Sequence, residues 1–266
     1  MPQSDHEYPV GIRISVKALA AYGSRDFMAP VIFIVPGLWE GPAAFQPLKE
    51  KLENAGLSVY TTRLISTGTT AADGLTVKDD TTAISRDLAA TVEMAGSDGV
   101  VVFLHSAGGF LCSAAMRDLT ATSMHAAGKK GGVKRIIFMS CAFGSEGFET
   151  KPTSTMQFFN NSYFTCVDPR NLLFNDMADS EATEWITKLQ CQPAKWDGVT
   201  TYCGWRDVPS LYIILEKDKG ILPEVQEQMA KLAVSKIVRL DAGHMAQLTK
   251  TNEVAQIIIG VTTELQ

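Results

Sequence analysis

Three side chains in this sequence are of the types that together make a hydroxyl nucleophilic: Ser106, Asp218 and His244. A serine hydroxyl attacks a carbonyl only when a base takes its proton, and the base needs a carboxylate to hold its tautomer and stabilise its charged form. Ser106 lies in the stretch VVFLHSAGGF, residues 101–110, where four apolar residues pass through His105 into the serine and then into Ala107, Gly108 and Gly109. In the pattern G-x-S-x-G, small neighbours let a strained serine sit at the tip of a tight strand-to-helix turn. The second glycine of that pattern is present, and Leu104 occupies the place of the first. A serine so placed supports acyl transfer. The plainer reading of the window is a buried strand followed by a glycine turn.

Asp218 and His244 each follow an apolar run, in EKDKG after LYIIL at 211–215 and in DAGHM after SKIVRL at 235–240. Glu216 on the same strand end and Glu146 after an earlier strand compete with Asp218, since a carboxylate from either loop could reach the histidine. Of the remaining histidines, His6 and His125 fall in expected loops and read as solvated. His105 reads as a packed, hydrogen-bonded core residue on the sheet flank.

The elements that must position these groups alternate between strand and helix. VIFIV at 31–35, VVFL at 101–104, RIIFMSCAFG at 135–144 and LYIIL are apolar runs of strand length without period-2 polarity, as in strands covered on both faces of a parallel sheet. LSVYTTRL at 57–64 is a further strand, and 10–19 holds the alternation of an edge strand preceding the sheet. Helices are expected at 45–55, 79–94, 109–119, 224–232 and 253–262. Strands alternating with helices imply a parallel sheet with right-handed crossovers, whose C-terminal strand ends gather the ligand site. Residues 145–206 change character, with Phe158, Phe159, Tyr163, Phe164, Phe174, Trp185 and Trp196 among polar residues. They read as a helical insertion over that edge, within one domain spanning 1–266.

The composition, 45% hydrophobic and 20% charged, is that of an ordinary globular chain. A net charge of −5 without a Lys/Arg cluster argues against a nucleic-acid surface. The N-terminus lacks a basic region followed by an apolar run, and the longest apolar stretches are too short to span a bilayer, so a secretory signal and a membrane partner are not expected. Cys112, Cys141, Cys166, Cys191 and Cys203 are odd in number and without a C-x-x-C pair, which suggests free thiols in a reducing cytoplasm. No His/Cys/Asp cluster has metal-ligand spacing, so neither a metal nor another cofactor is expected.

From about residue 30 onward the chain resembles an α/β-hydrolase, and more narrowly the branch of plant hydroxynitrile lyases and methylsalicylate-type esterases with their bacterial and fungal relatives. The resemblance rests on VPGLWEG (35–41), LHSAGG (104–109), DPRNLLFND (168–176), WRDVPSLYIILEKDKGILPEVQEQM (205–229) and DAGHMAQLTKTNEVA (241–255). Pro36-Gly37-Leu38-Trp39-Glu40-Gly41 is similar to the family's H-G-x-W-x-G loop, with Pro36 where histidine is usual. The resemblance implies an α/β-hydrolase fold, a mostly parallel central sheet flanked by helices with a helical lid, and the order Ser106, Asp218, His244 of a triad. The family pattern E-K-D favours Asp218 as the acid. The resemblance further implies an oxyanion hole at the backbone N–H groups of Leu38 and Ala107.

These features imply a serine esterase or lactonase acting on a small, largely apolar molecule, with Trp39, Phe158 and Trp185 as candidate substrate contacts. The branch also includes lyases, which would keep His244 as base without a covalent intermediate, and the fold can serve as a small-ligand receptor. A homodimer stays open as the quaternary state.

Overall fold

The structure is a computed structural model that describes residues 29–196 and 198–265. The expected edge strand at 10–19 lies outside the described residues.

VIFIV forms β1 (Val31–Val35), buried on both faces, and VVFL forms the body of β3 (Val100–His105), also wholly buried. With β2 (Val59–Thr61), β4 (Val133–Met139), β8 (Ser210–Leu215) and β9 (Lys236–Leu240) they make one six-stranded sheet in the order β2-β1-β3-β4-β8-β9. Every neighbouring pair in it is parallel. The edge strand β9 is partly exposed, whereas Ile136–Met139 of β4 and Tyr212–Leu215 of β8 are continuous buried runs, as burial on both faces requires.

The five expected helices form, the third of them ending at Ala115, and a short helix that was not expected follows at Ala121–Ala126. Val77–Ala95 starts at Thr76, which with Asp79 forms a capping box, and it buries Ala83, Ile84, Leu88, Val92 and Ala95 along one stripe. Gly96 at φ 55 ends it. The helix that follows Ser106 runs Gly108–Ala115 and packs against Val77–Ala95. Gln46–Asn54 packs against the last helix, Thr251–Thr263. No helix among the described residues is long and apolar enough to cross a membrane.

Residues 145–206 depart from the expected helical insertion. They contain a second, antiparallel sheet of β5 (Met156–Phe159), β6 (Tyr163–Cys166) and β7 (Gln192–Pro193), with short helices at Pro169–Leu172 and Asp179–Ile186. Asn160 and Asn161 take φ of 47° and 53°, the two left-handed positions of a type I′ turn, and Ser162 N–H closes it on Phe159 carbonyl at 2.8 Å. Across the hairpin Phe158 faces Phe164 and Phe159 faces Tyr163, with ring centroids 5.1 and 5.0 Å apart. The aromatics that looked irregular in sequence are therefore cross-strand pairs on opposite faces of a hairpin.

Candidate active site

Strand order reverses between β1 and β3, because the chain leaves β1 for β2 on one side and returns to β3 on the other. Loops leaving the C-terminal ends of two such strands diverge and open a crevice. Ser106 sits at this point, one residue past β3, with φ 52°. A left-handed conformation is strained for a residue with a Cβ, and here the packing enforces it. A Cβ on Gly108 would lie 2.7 Å from the Val35 carbonyl oxygen, and one on Gly37 would lie 2.6 Å from Ser106 Cβ. Glycine at 37 and 108 thus lets the loop after β1 and the helix after Ser106 close around the serine. Leu104, in the place of the motif's first glycine, is a buried strand residue beside Val35 and Phe138.

His244 lies four residues past β9 and is 4% exposed. Its Nδ1 is 2.9 Å from Asp218 Oδ2, and Asp218 follows β8. Asp218 also accepts the N–H groups of Gly220 and Ile221 on Oδ1, at 2.7 and 3.0 Å, and the Gln226 amide on Oδ2 at 3.2 Å. The Ser140 hydroxyl donates to the same Oδ2 and stands 3.3 Å from His244 Nδ1. Burial pushes the Asp218 carboxyl up, but the His244 charge and the hydrogen bonds from His244, Ser140 and Ile221 outweigh it and hold it below its usual 3.8. Burial likewise opposes the charged form of His244, yet the Asp218 carboxylate, with a contribution from Glu40, raises its pKa above 6.5. The competing carboxylates stand elsewhere: Glu216 is 3.8 Å from Arg239 and Glu146 is 3.4 Å from Arg206, each about half exposed.

Leu38 and Ala107 line the same cavity as Ser106 and His244. The loop carrying Leu38 is held by Gly37 N–H donating to Glu40 Oε1 at 2.5 Å, and Trp39 beyond it takes φ 66°. The cavity is about 710 Å³, with Trp39, Phe110, Phe143, Phe148, Met156 and Trp196 among its apolar lining. Of the three candidate substrate contacts only Trp39 belongs to this lining. Phe158 is 40% exposed and spends its face on Phe164. Trp185 lines a separate cavity of about 230 Å³ with Phe174 and Met245, and carries the Lys188 ammonium 4.1 Å above its ring. Neither Phe158 on the hairpin nor Trp185 on the helix Asp179–Ile186 lines the cavity that holds Ser106 and His244.

Sequence reasoning missed Ser140, Gln226 and Glu40. Ser140 had a readable signal: it directly follows the apolar run of β4 at the same sheet edge, with φ 45°. Trp196 on the cavity wall stands among the insertion aromatics visible in the sequence, whereas Phe148 had no signal, because only the folded insertion brings it over the site.

The sequence matches the family model described as alpha/beta hydrolase family over residues 31–257. It is 25% identical over 245 residues to the probable hydrolase R7 of a Phoma species, covering 86% of this chain and 96% of that one. To the alpha/beta hydrolase nvfD of Aspergillus novofumigatus it is 27% identical, covering 87% and 96%. Among solved structures, polyneuridine aldehyde esterase superposes with a TM-score of 0.65 at 16% identity, covering 87% of this chain and 99% of that one. The methylesterase MES16 from Arabidopsis gives 0.65 at 14% identity, covering 88% and 99%. At such identities the structures speak for the fold.

Proposed function

The chain belongs to the alpha/beta hydrolase family, and from that premise we propose that it is a serine hydrolase cleaving an ester or lactone bond in a largely apolar molecule. The observation that carries this reading is the strained Ser106 opening on the same cavity as His244, whose other ring nitrogen is held by the buried, ionised Asp218. In this reading Ser106 Oγ attacks the substrate carbonyl and its proton passes to His244 Nε2. The tetrahedral oxyanion is received by the N–H groups of Leu38 and Ala107, each donor contributing roughly 3 kcal/mol. Collapse expels the alcohol, which takes the proton from His244 and leaves the acyl group on Ser106. Water, deprotonated by His244, then releases the acid and restores the serine. With a lactone the alcohol and acid stay joined as one hydroxy acid.

The cavity lies within the usual range of small-molecule sites, roughly 300–1,000 Å³, and its aromatic walls favour an apolar acyl or alcohol group. Residues 145–206 supply part of that wall and act in this reading as a lid. Polyneuridine aldehyde esterase and the methylesterase MES16, which share this fold, point the same way. A cytoplasmic location fits the unpaired Cys112, Cys141, Cys166, Cys191 and Cys203.

Ser106→Ala tests the reading: hydrolysis of p-nitrophenyl acetate and labelling by a fluorophosphonate should both disappear while circular dichroism is unchanged. Undiminished turnover in that protein would show base chemistry by His244 without a covalent intermediate.

A further inference from the structure

The hydrolytic reading gives no part to two buried groups at its centre, Glu40 and His105, which are 4% and 0% exposed. Glu40 Oε1 lies 2.6 Å from His105 Nδ1, and His105 Nε2 lies 3.0 Å from the backbone carbonyl oxygen of His244. A carbonyl can only accept, so Nε2 carries a hydrogen and a single further proton serves the Nδ1 to Oε1 contact. Both nitrogens of His105 are thereby occupied, which leaves it no lone pair for a substrate proton. The same Glu40 Oε1 accepts Gly37 N–H at 2.5 Å, and Oε2 accepts from Gln247 Nε2 at 3.2 Å.

One carboxylate therefore joins three stretches of chain. Gly37 precedes Leu38, His105 precedes Ser106, and the His244 peptide is held through His105 on one side and Gln247 of the following helix on the other. We propose that Glu40 and His105 form a second carboxylate–histidine pair that sets the oxyanion loop, the nucleophile and the base in register, with Glu40 as a positioning residue. This inference rests on the hydrolytic reading of Ser106 and His244. The other side of the His244 loop is fixed independently, by Asp176 Oδ2 accepting Gly243 N–H at 2.6 Å.

Glutamine at position 40 cannot reproduce the arrangement. If its oxygen takes the Oε1 position it still accepts from Gly37, but the Nδ1 contact loses its counter-charge. If its NH2 takes that position it donates to His105 and opposes Gly37 N–H. The charge also acts on His244, which is faced by Asp218 and Ser140 from the ends of β8 and β4, by His105 and Glu40 from those of β3 and β1, by Asp176 through Gly243, and by Lys219 on the cavity wall. Glu40 is one of the negative groups that favour the charged imidazole.

The test uses Glu40→Gln, with His105→Gln as a second variant, and normalises kcat to sites titrated by a fluorophosphonate. Loss of register should lower kcat per site about 10- to 100-fold, as loss of groups that orient a reacting residue generally does, with KM little changed. In Glu40→Gln the acid limb of kcat/KM, and the His244 imidazole titration followed by NMR and assigned with His244→Ala, should both move to lower pH. A merely structural pair would reduce the melting temperature and the number of titratable sites only, and unchanged kcat per site with an unchanged His244 titration overturns the inference. If the wild-type protein neither turns over esters nor takes up the fluorophosphonate, the hydrolytic reading fails, while the NMR titration still decides whether Glu40 acts on His244.

Discussion

Asp218 keeps its charge in a fully buried place because both of its oxygens meet donors: Gly220 and Ile221 N–H on Oδ1, and Ser140, Gln226 and His244 on Oδ2. An amide in its place would put a donor where acceptors are required. Asp218→Asn is therefore expected to lower kcat on p-nitrophenyl acetate by roughly 10⁴ with little change in fold. Glu216→Gln and Glu146→Gln, which lose only exposed partners of Arg239 and Arg206, should each cost less than about tenfold, near 1.4 kcal/mol. A severe loss in Glu146→Gln alone would move the acid to the loop after β4. The pH profile carries its own sign. In the proposed mechanism His244 must be neutral to accept the serine proton, and its pKa is raised, so kcat/KM should fall as pH drops through a midpoint above 6.5. In stability the raised His244 contributes fully below its unfolded value and loses that contribution as pH rises through the folded one, whereas the lowered Asp218 contributes above 3.8 and loses it as pH falls. Ser106, Asp218 and His244 were legible because each closes an apolar run at a strand end. Gln226 was not, because its partner stands eight residues back and only the turn at Gly220 brings the two together.

At the scale of elements, the inner strands were readable for the same reason that they are stable: burial on both faces favours apolar runs such as VIFIV and YIIL. The hairpin of the insertion carries a turn signal in Asn160-Asn161, but its flanking aromatics have the composition of lid packing and do not show the alternation of a strand pair. The two aromatics picked out from the insertion, Phe158 and Trp185, do not line the cavity that holds Ser106. Phe148, on the cavity wall and edge-on to Phe110 with centroids 6.3 Å apart, is one of the insertion aromatics that the fold brings to the cavity, with Trp196. Phe148→Ala should lower kcat/KM for a bulky aryl ester by about 1–2 kcal/mol, roughly 5- to 30-fold, and leave p-nitrophenyl acetate nearly unaffected. Trp185→Ala should change neither ester's kcat/KM and only reduce the melting temperature. Steady-state kinetics on the two esters decide it, and a selective loss in Trp185→Ala would mean that its helix reaches the site.

Over the whole molecule, backbone hydrogen bonds tie the insertion to the sheet body. Gln190 N–H donates to the Trp39 carbonyl at 2.9 Å, Gly68 N–H to the Cys191 carbonyl at 2.8 Å, and Ala71 N–H to the Ser162 carbonyl at 2.6 Å. At the centre of this seam is Asp80, on the helix Val77–Ala95 and with no exposure, which accepts Ser66 N–H at 2.9 Å, Ser66 O–H at 2.5 Å and Trp196 Nε1 at 2.9 Å. Gln192 adds a bond to the Ser66 hydroxyl at 2.8 Å. No sequence pattern announces such a group, since Asp80 looks like an ordinary acid in the first turn of a capped helix. Asp80→Ala leaves those donors unpaired in a buried place, so it should cost about 3 kcal/mol and, at about 2 to 4 °C per kcal/mol, lower Tm by roughly 6 to 12 °C. Trp196 also lines the cavity, so KM for the bulky ester should rise with it. The pH dependence separates Asp80 from Asp218. Burial raises the Asp80 carboxyl above 3.8, and the bonds from Ser66 and Trp196 only partly offset it. A raised carboxyl gains stability as pH falls from neutral through its folded value, because the folded state then binds the proton more tightly than the unfolded chain. The gap in Tm between the wild-type protein and Asp80→Ala, measured by calorimetry from neutral pH down toward 4, should therefore widen. A gap that narrows over that range would mean that the Ser66 and Trp196 bonds outweigh burial and hold Asp80 ionised as firmly as Asp218.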